Sequence, residues 1–213
     1  MASENKTFGP VATPEGRLSW PSLAEPNTKG KFPDNKYGGS ILIPKSVSID
    51  VLKDACFQAA KLTWPGLLNS VAEIGKLKLP FKDGDAKSEQ EGYAEHIYLT
   101  SKSKNKPVVV DAARRDYVGP LKGGDYVRFS VTAGAFRLNL DAEAAAAFRS
   151  AGKTVMEGVD KDQKRYLYRP AVTFYLNSVQ FLREGAALGG GGSGVKAFED
   201  TPVADNGGDD LFR

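Results

Sequence analysis

A strict alternation of residue types between Asp125 and Leu138 constrains the fold of this chain more than any other feature. One parity holds Val127, Phe129, Val131, Ala133 and Ala135. The other parity holds Tyr126, Arg128, Ser130, Thr132, Gly134 and Phe136. Successive side chains of a strand point to opposite faces of a sheet, so the pattern predicts a long strand with one core face and one outward face.

Residues 166–183 predict a second long strand that pairs with the first. Its apolar parity changes between Leu176 and Val179. An extra residue in one strand shifts the side-chain register, so a β-bulge is expected near Asn177 and Ser178.

Shorter strands are predicted at residues 17–20, 37–43 and 93–100, the first at a sheet edge because Pro21 follows it. A lysine-rich turn then leads to residues 108–110, which is typical of a hairpin with a basic tip.

Two helices are expected among these strands. Ser48 is expected to cap the principal helix, which ends before Pro65, and its apolar positions recur at helical spacing, at Leu52, Ala55, Cys56, Ala59 and Ala60. Asp141 caps a second helix inserted within residues 139–169, and a charged loop follows it. The whole pattern predicts a mainly β fold, a five-stranded antiparallel barrel that leaves one face and its flanking loops for a strand-shaped ligand.

The charges divide the chain into a basic body and an acidic tail. Residues 199–213 carry five carboxylates against one arginine, a side-chain balance of −4, so the total of +3 leaves about +7 on residues 1–198. We therefore expect one folded domain over residues 1–188 and, over residues 189–213, a glycine-rich hinge with a disordered acidic tail. Proteins that cover single-stranded DNA are often arranged in this way.

Composition excludes several classes of function. A single cysteine, Cys56, cannot form an internal disulfide, and with His96 as the one histidine there is no ligand set for zinc or a redox metal. No run of about eighteen apolar residues and no secretory signal is present, so a cytoplasmic protein without cofactor or membrane contact is expected.

Binding of single-stranded nucleic acid requires cations that follow the phosphates and flat rings on which bases stack. The rings and the arginine predicted on outward strand faces are Tyr98, Tyr126, Arg128 and Phe136. The surrounding cations are Lys76, Lys78, Lys82, Lys102, Lys104, Arg114, Arg115, Lys164 and Arg165. Together they predict a single-stranded DNA-binding face with no catalytic residue.

Two other classes of function remain open at this point. Asp83 with Asp85, or Asp111 with Asp116, are pairs of carboxylates that hold magnesium in a nuclease, although aspartates at turns are the commoner explanation. A structural interaction protein without a nucleic-acid role is the other alternative. The glycine run lacks the Gly-Lys-Ser/Thr of a phosphate-binding loop.

Four blocks carry a family resemblance, and they occur in a characteristic order. They are Lys36-Tyr37 with residues 41–45, then residues 79–85, then residues 102–111, and finally residues 176–190. In this order they resemble the OB-fold single-stranded DNA-binding proteins of tailed bacteriophages, a family formerly known as a domain of unknown function. The chain departs from the family pattern at residues 139–169 and by ending in Phe212-Arg213.

The resemblance implies a protein that coats exposed strands during phage DNA replication, recombination and repair, in the host cell cytoplasm. It implies no cofactor and no catalysis. The acidic tail is expected to compete with DNA for the groove and to recruit phage replication or recombination proteins. The residues expected to contact these partners are Asp209, Asp210, Leu211 and Phe212.

Overall fold

Strands make up most of the structure, a computed structural model that describes residues 6–29 and 33–188. The strands are β1 (Thr7–Ala12), β2 (Gly16–Ser22), β3 (Tyr37–Pro44), β4 (Phe81–Asp83), β5 (His96–Ser103), β6 (Val108–Val110), β7 (Tyr126–Leu140), β8 (Met156–Val159) and β9 (Arg165–Arg183). The helices are α1 (Asp50–Thr63) and α2 (Ala142–Ser150), and 3-10 turns cover Val71–Lys76 and Gly84–Lys87. The hinge and tail predicted for residues 189–213 lie outside the described residues.

Five of these strands close into a ring. β2 pairs with β3, β3 with β5, β5 with β9 and β9 with β7, which returns to β2. The predicted mainly β barrel is therefore confirmed. Four of its seams are antiparallel, whereas β5 and β9 run parallel. A parallel seam needs a long connection, and here β6, β7, α2 and β8 lie between the two strands.

The β7–β9 pair is the longest in the sheet and runs from Tyr126 opposite Arg183 to Leu140 opposite Leu167. Ser130 pairs with Ser178, but the next residue, Val131, pairs with Leu176. Asn177 is therefore an extra residue in β9, and the bulge predicted at this position is confirmed.

The barrel interior is filled by the side chains on the strand face that the sequence predicted to be the core face. Phe129 of β7 is fully buried, as are Leu18, Ile41 and Leu99 of the neighbouring strands. Helix α1 packs against β1, β7 and β9 and buries the five apolar positions predicted for it. The helix begins at Asp50, so Ile49 and not Ser48 is the capping position; the Ser48 Oγ accepts the Asp50 backbone N–H at 3.2 Å from one residue further back. No helix in the described residues is long and apolar enough to cross a membrane.

The predicted hairpin between residues 93–100 and 108–110 is wrong. β6 pairs with β9 rather than with β5, and both β5 and β6 run parallel to β9 along the same edge. The connection between them therefore does not reverse the chain direction. Local sequence favoured a hairpin because the alternative partner, at Ser178 to Gln180, lies about seventy residues further along the chain.

The charged loop predicted after the inserted helix contains a strand. α2 begins where expected, with Asp141 Oδ1 accepting the Ala144 N–H at 2.7 Å. The chain then enters β8, which forms an antiparallel hairpin with the start of β9. Asp160 closes the turn by accepting the backbone N–H groups of Asp162 and Lys164, both at 2.9 Å. This Asp turn was not recognised as a hairpin signal because charged residues surround it.

Replacing Phe129 with Ala should lower the free energy of unfolding by about 3–5 kcal/mol, because the ring is fully buried between the sheet and α1. Urea denaturation followed by circular dichroism measures the change. Arg128→Ala is the matched control on the exposed face of the same strand and should change stability by no more than about 0.5 kcal/mol. Equal losses in the two variants would contradict the assignment of the two faces.

Candidate nucleic-acid interface

The outward faces of β3 and β5 form the floor of an open cleft. Along these strands Gly38 lies opposite Lys102, and Ser40 lies opposite Thr100. The Ser40 and Thr100 hydroxyl oxygens are 2.7 Å apart and hydrogen-bond to each other. A side chain at Gly38 would collide with the backbone of β5, so this part of the floor stays flat.

The cleft has a volume of about 560 Å³, and we call it the β3–β5 cleft. Its walls come from β2, from the β2–β3 connection and from β5. The lining residues are Trp20, Pro21, Ser22, Asn27, Lys29, Lys36, Gly38, Gly39, Ser40, Thr100 and Lys102. Three lysines, a tryptophan and a polar floor therefore face one open space.

Lys102 is held in the cleft by an ion pair with Asp34 of the β2–β3 connection. The Lys102 ammonium lies 2.6 Å from Asp34 Oδ2, and Asn27 donates to Oδ1 at 3.3 Å. The hydrogen bond from Lys102 holds the pKa of the Asp34 carboxyl below its ordinary value. The pair is partly exposed, so it contributes about 0–1 kcal/mol at most and a competing anion can displace it.

A second cleft of about 740 Å³ continues from the first along the β2–β3 connection. The two clefts share Pro21, Ser22, Asn27 and Lys29. Lys106 and Tyr117 line the far end of the second cleft. The shared residues make the two clefts one continuous groove.

Tyr98 is not the open stacking surface predicted from the sequence. It lies on the outward face of β5, as its parity indicated, but only 6% of the side chain is exposed. Tyr93 packs edge-on against its ring at a centroid distance of 5.1 Å, and Leu42 completes the cluster. Lys82 and Lys87 place their ammonium groups 5.7 and 5.2 Å from the ring centroid. Sequence parity identified the face but not what covers it, because Leu42 belongs to β3 and Tyr93 lies in the turn just before β5.

The predicted residues of β7 lie on the outward face, away from the β3–β5 cleft. Arg128 is exposed, and Tyr126 and Phe136 are half-buried. The Arg183 guanidinium covers one face of the Tyr126 ring, with 3.4 Å between its carbon and the ring centroid. Arg183 is held there by Glu15 at 2.6 Å. One side of Tyr126 is therefore already occupied.

The predicted cations are dispersed over the surface rather than gathered in one groove. Lys102 lines the β3–β5 cleft, and Lys104 follows it in the connection to β6. The others lie in the turn before β4 (Lys76, Lys78), on β4 (Lys82), after β6 (Arg114, Arg115) and at the β8–β9 turn (Lys164, Arg165). Lys76 pairs with Glu73 and Arg115 with Asp111.

Three of the four carboxylates considered for magnesium, Asp83, Asp85 and Asp111, are engaged by cations of the protein. The Lys45 ammonium lies 2.7 Å from Asp83 and 2.6 Å from Asp85, and its hydrogen bonds lower the pKa of both carboxyls. Asp111 is bound by Arg115. Among the described residues no group of three or more His, Cys, Asp or Glu side chains is placed to hold a metal. Asp83, Asp85 and Asp111 each also accept a backbone N–H and so stabilise the turns in which they lie.

Sequence reasoning missed four residues of the groove or its margin. Lys29 and Lys36 lie in the β2–β3 connection, where no periodic pattern marks a face. The prediction that residues 17–20 form an edge strand is wrong, since β2 pairs with both β3 and β7; Pro21 is tolerated because the pairs with β7 lie before it, at Gly16 and Arg17. Trp20 is 68% exposed, and Tyr175 of β9 is 43% exposed. The signal available for Trp20 was the proline after it, which favours a bulge.

Comparison with known proteins assigns the chain to a family. Residues 9–158 match the sequence model of the family described as "Enterobacter phage Enc34, ssDNA-binding protein". The chain belongs to the Enc34 single-stranded DNA-binding family. The family resemblance found in the sequence is thereby confirmed.

Individual proteins are also similar to this chain over most of its length. A protein designated p50 of Acyrthosiphon pisum secondary endosymbiont phage 1 is 29% identical over 197 residues, which are 89% of this chain and 92% of p50. The solved single-stranded DNA-binding protein from bacteriophage Enc34 shares the fold, with a TM-score of 0.50, 18% identity and 84% of each chain covered. The same Enc34 protein in complex with ssDNA gives a TM-score of 0.47 at 16% identity, covering 88% of this chain and 100% of that one.

The Enc34 family match includes both walls of the β3–β5 cleft, since β2, β3 and β5 all lie within residues 9–158. It also extends through α2, which the sequence analysis treated as part of an insertion, and it ends inside β8. The long strand β9 lies beyond the matched residues.

Lys45→Met should raise the pKa of Asp83 and Asp85 toward the ordinary aspartate value, because both are lowered chiefly by hydrogen bonds from Lys45. Carboxylates with a lowered pKa stabilise the folded state above their unfolded pKa, and this contribution is lost as the pH falls through the folded pKa. The stability of the variant should therefore depend less on pH over the acidic range in which Asp83 and Asp85 titrate.

Carboxyl carbon NMR titration measures these changes directly. Lys53→Met is the matched control, because Lys53 pairs with Asp50 on α1 and leaves Asp83 and Asp85 untouched. Unchanged midpoints for Asp83 and Asp85 in Lys45→Met would show that Lys45 does not neutralise them.

Proposed function

We propose that this protein binds single-stranded DNA with little sequence preference, in the β3–β5 cleft. The observation that carries the proposal is a lysine-lined cleft over the second and third strands of a five-stranded barrel, in a chain of the Enc34 family. OB folds bind oligonucleotides on the face of these two strands and on the adjoining loops. The solved Enc34 protein with this fold is itself described as a single-stranded DNA-binding protein.

The side chains of the cleft suit phosphates better than base edges. Lys29, Lys36 and Lys102 are flexible point charges that attract phosphates of any sequence. On the floor, Ser40 and Thr100 hydrogen-bond to each other, so one of the two hydroxyl donors is already used. Phosphate contacts position a strand but carry no sequence information, which supports binding with little preference.

Among the cations predicted from the sequence, we assign Lys102 and Lys104 to phosphate contacts at the cleft. Arg128 and the remaining exposed cations do not line the cleft and contribute to the positive field that attracts DNA from a distance. The proposed role is protection of exposed strands during phage DNA replication, recombination and repair in the host cell, without catalysis. The engagement of Asp83 and Asp85 by Lys45 supports binding over magnesium-dependent cleavage.

Binding should depend strongly on salt. If the groove neutralises about five phosphates, log K should fall against log salt with a slope of roughly −3.5. Removing Lys102 should make this slope shallower by about 0.7. The variant to use is Asp34→Asn with Lys102→Ala, because Lys102→Ala alone leaves an unpaired carboxylate in the cleft. Fluorescence anisotropy with oligo-dT at several salt concentrations measures the slope.

Lys53→Ala is the matched control for this experiment. Lys53 is a partly exposed lysine on α1, which follows the Pro44 end of β3, and it is not among the residues that line the cleft. Its slope should equal that of the wild type. A wild-type slope near zero would contradict phosphate binding, and cleavage of the oligonucleotide on addition of magnesium would support the nuclease alternative.

The acidic tail is proposed to compete with DNA for the groove and to recruit replication or recombination proteins. Its charge is opposite to that of the body. The last described residue, Leu188, packs on the cluster of Leu42, Tyr93 and Tyr98 and, with Trp20, lines a small cleft beside the groove. The chain thus passes to residue 189 close to the proposed DNA site, which gives the tail a high effective concentration there.

Deleting residues 199–213 should raise the affinity for oligo-dT at low salt and leave it nearly unchanged at high salt, because screening weakens competition between charged groups. Side-by-side titrations of the full-length and truncated proteins measure this difference. A full-length variant with Asp209 and Asp210 replaced by Asn separates charge from length. Equal affinities at low salt would show that the tail does not occupy the groove.

A further inference from the structure

Two aromatic side chains are exposed in the part of the chain that the structure describes. They are Trp20, which is 68% exposed, and Tyr175, which is 43% exposed. Neither ring stacks on a ring or a cation of another described residue. An aromatic ring contributes most to folding stability when it is buried, and the other tryptophan, Trp64, is only 6% exposed. Packing within the fold therefore does not explain why these two rings are exposed.

Local backbone geometry turns Trp20 outward. The β2–β3 register shifts between Ser19 and Ser22, so Trp20 lies in a bulge, and its φ of 49° is unusual for a residue other than glycine. Pro21 follows and holds the bulge open to solvent. The ring lines the same cleft as Lys102, on the opposite wall.

Tyr175 is oriented by a glycine on the neighbouring strand. The Tyr175 ring lies where a side chain at Gly134 would otherwise be, so the absence of that side chain lets the ring lie flat on β7. The adjacent residue, Phe174, points into the core and is 1% exposed. One face of Tyr175 is thus supported by the sheet, and the other faces solvent.

The sheet register places Lys102 between the two rings. Lys102 pairs with Tyr175 on one side and with Gly38 on the other, and Gly38 pairs with Ser22 of β2. The paired residues on these four neighbouring strands are therefore Tyr175, Lys102, Gly38 and Ser22, and Trp20 lies two residues before Ser22 in the bulge of β2. Measured along the sheet, β2 and β9 are three strand spacings apart, about 14 Å.

We propose that Trp20 and Tyr175 are two stacking surfaces for bases of one DNA strand, and that Lys102 binds the phosphate backbone between them. This inference rests on the proposed function and identifies the residues that perform it. A strand bound in this way crosses β3 and β5 rather than following them. The flat floor at Gly38 is what lets the strand approach the sheet between Trp20 and Lys102.

Affinity measurements test both rings. Trp20→Ala and Tyr175→Ala should each weaken binding to oligo-dT by about 5- to 150-fold, the range expected for loss of one stacked base. Tyr166→Ala is the matched control. Tyr166 lies over Gly158 as Tyr175 lies over Gly134, but it is nine residues earlier in β9, about 30 Å away. Its affinity should equal that of the wild type.

Tryptophan fluorescence gives a second readout, because the chain has two tryptophans and Trp64 is buried. Oligo-dT should quench the wild type, and the quenching should disappear in Trp20→Phe, which keeps an aromatic ring and the fold. Far-ultraviolet circular dichroism confirms folding of each variant.

The possible results separate the two proposals. A folded wild-type protein that does not bind oligo-dT would overturn the proposed function. Wild-type binding with unchanged affinity in Trp20→Ala, in Tyr175→Ala or in both would overturn this inference and leave the function in place. Quenching that persists in Trp20→Phe would also overturn it.

Discussion

The pairing of β7 with β9 is the constraint on which the rest of the structure depends. Both strands are longer than a barrel wall requires. The edge of each that does not pair with the other is therefore long enough for several short strands to pair along it in succession. β1 and β2 share the other edge of β7, and β8, β5 and β6 share the other edge of β9. Strands as short as β6 are marginal alone and become stable only against a partner that is already ordered. The bulge at Asn177 adjusts the register of this central pair.

The outward face of the barrel is divided into a covered half and an open half. Over the covered half, Leu188 packs with Tyr93 and Tyr98, and the segment before it is bound by the Arg17 guanidinium, which donates to the Ala186 carbonyl at 2.7 Å. The buried Asp125 carboxylate accepts the Gly185 N–H at 3.3 Å and anchors the same segment. The open half, toward Lys102, is where the cleft lies. The segment that covers one half of the outward face thus leaves the other half open to a ligand.

Much of the fold could be predicted because side-chain periodicity reports local geometry. Alternation identified β7 and its buried face, helical spacing identified α1, and the capping residue Asp141 located α2. The errors share one cause. β6 pairs with a strand about seventy residues away, and β8 forms a hairpin hidden among charged residues, so neither pairing leaves a periodic signal in its own segment.

For the candidate site, the sequence by itself determined the family, the separation of charge between body and tail, and the side of each strand on which a residue lies. Only the tertiary structure decided which outward residues stay open: Leu42 and Leu188 pack with Tyr98, Arg183 covers one face of Tyr126, and the shifted pairing of β2 with β3 leaves Trp20 in a bulge. The physical reason is that parity depends on a residue and its neighbours in the chain, whereas exposure depends on segments that are distant in sequence and meet only when the barrel closes.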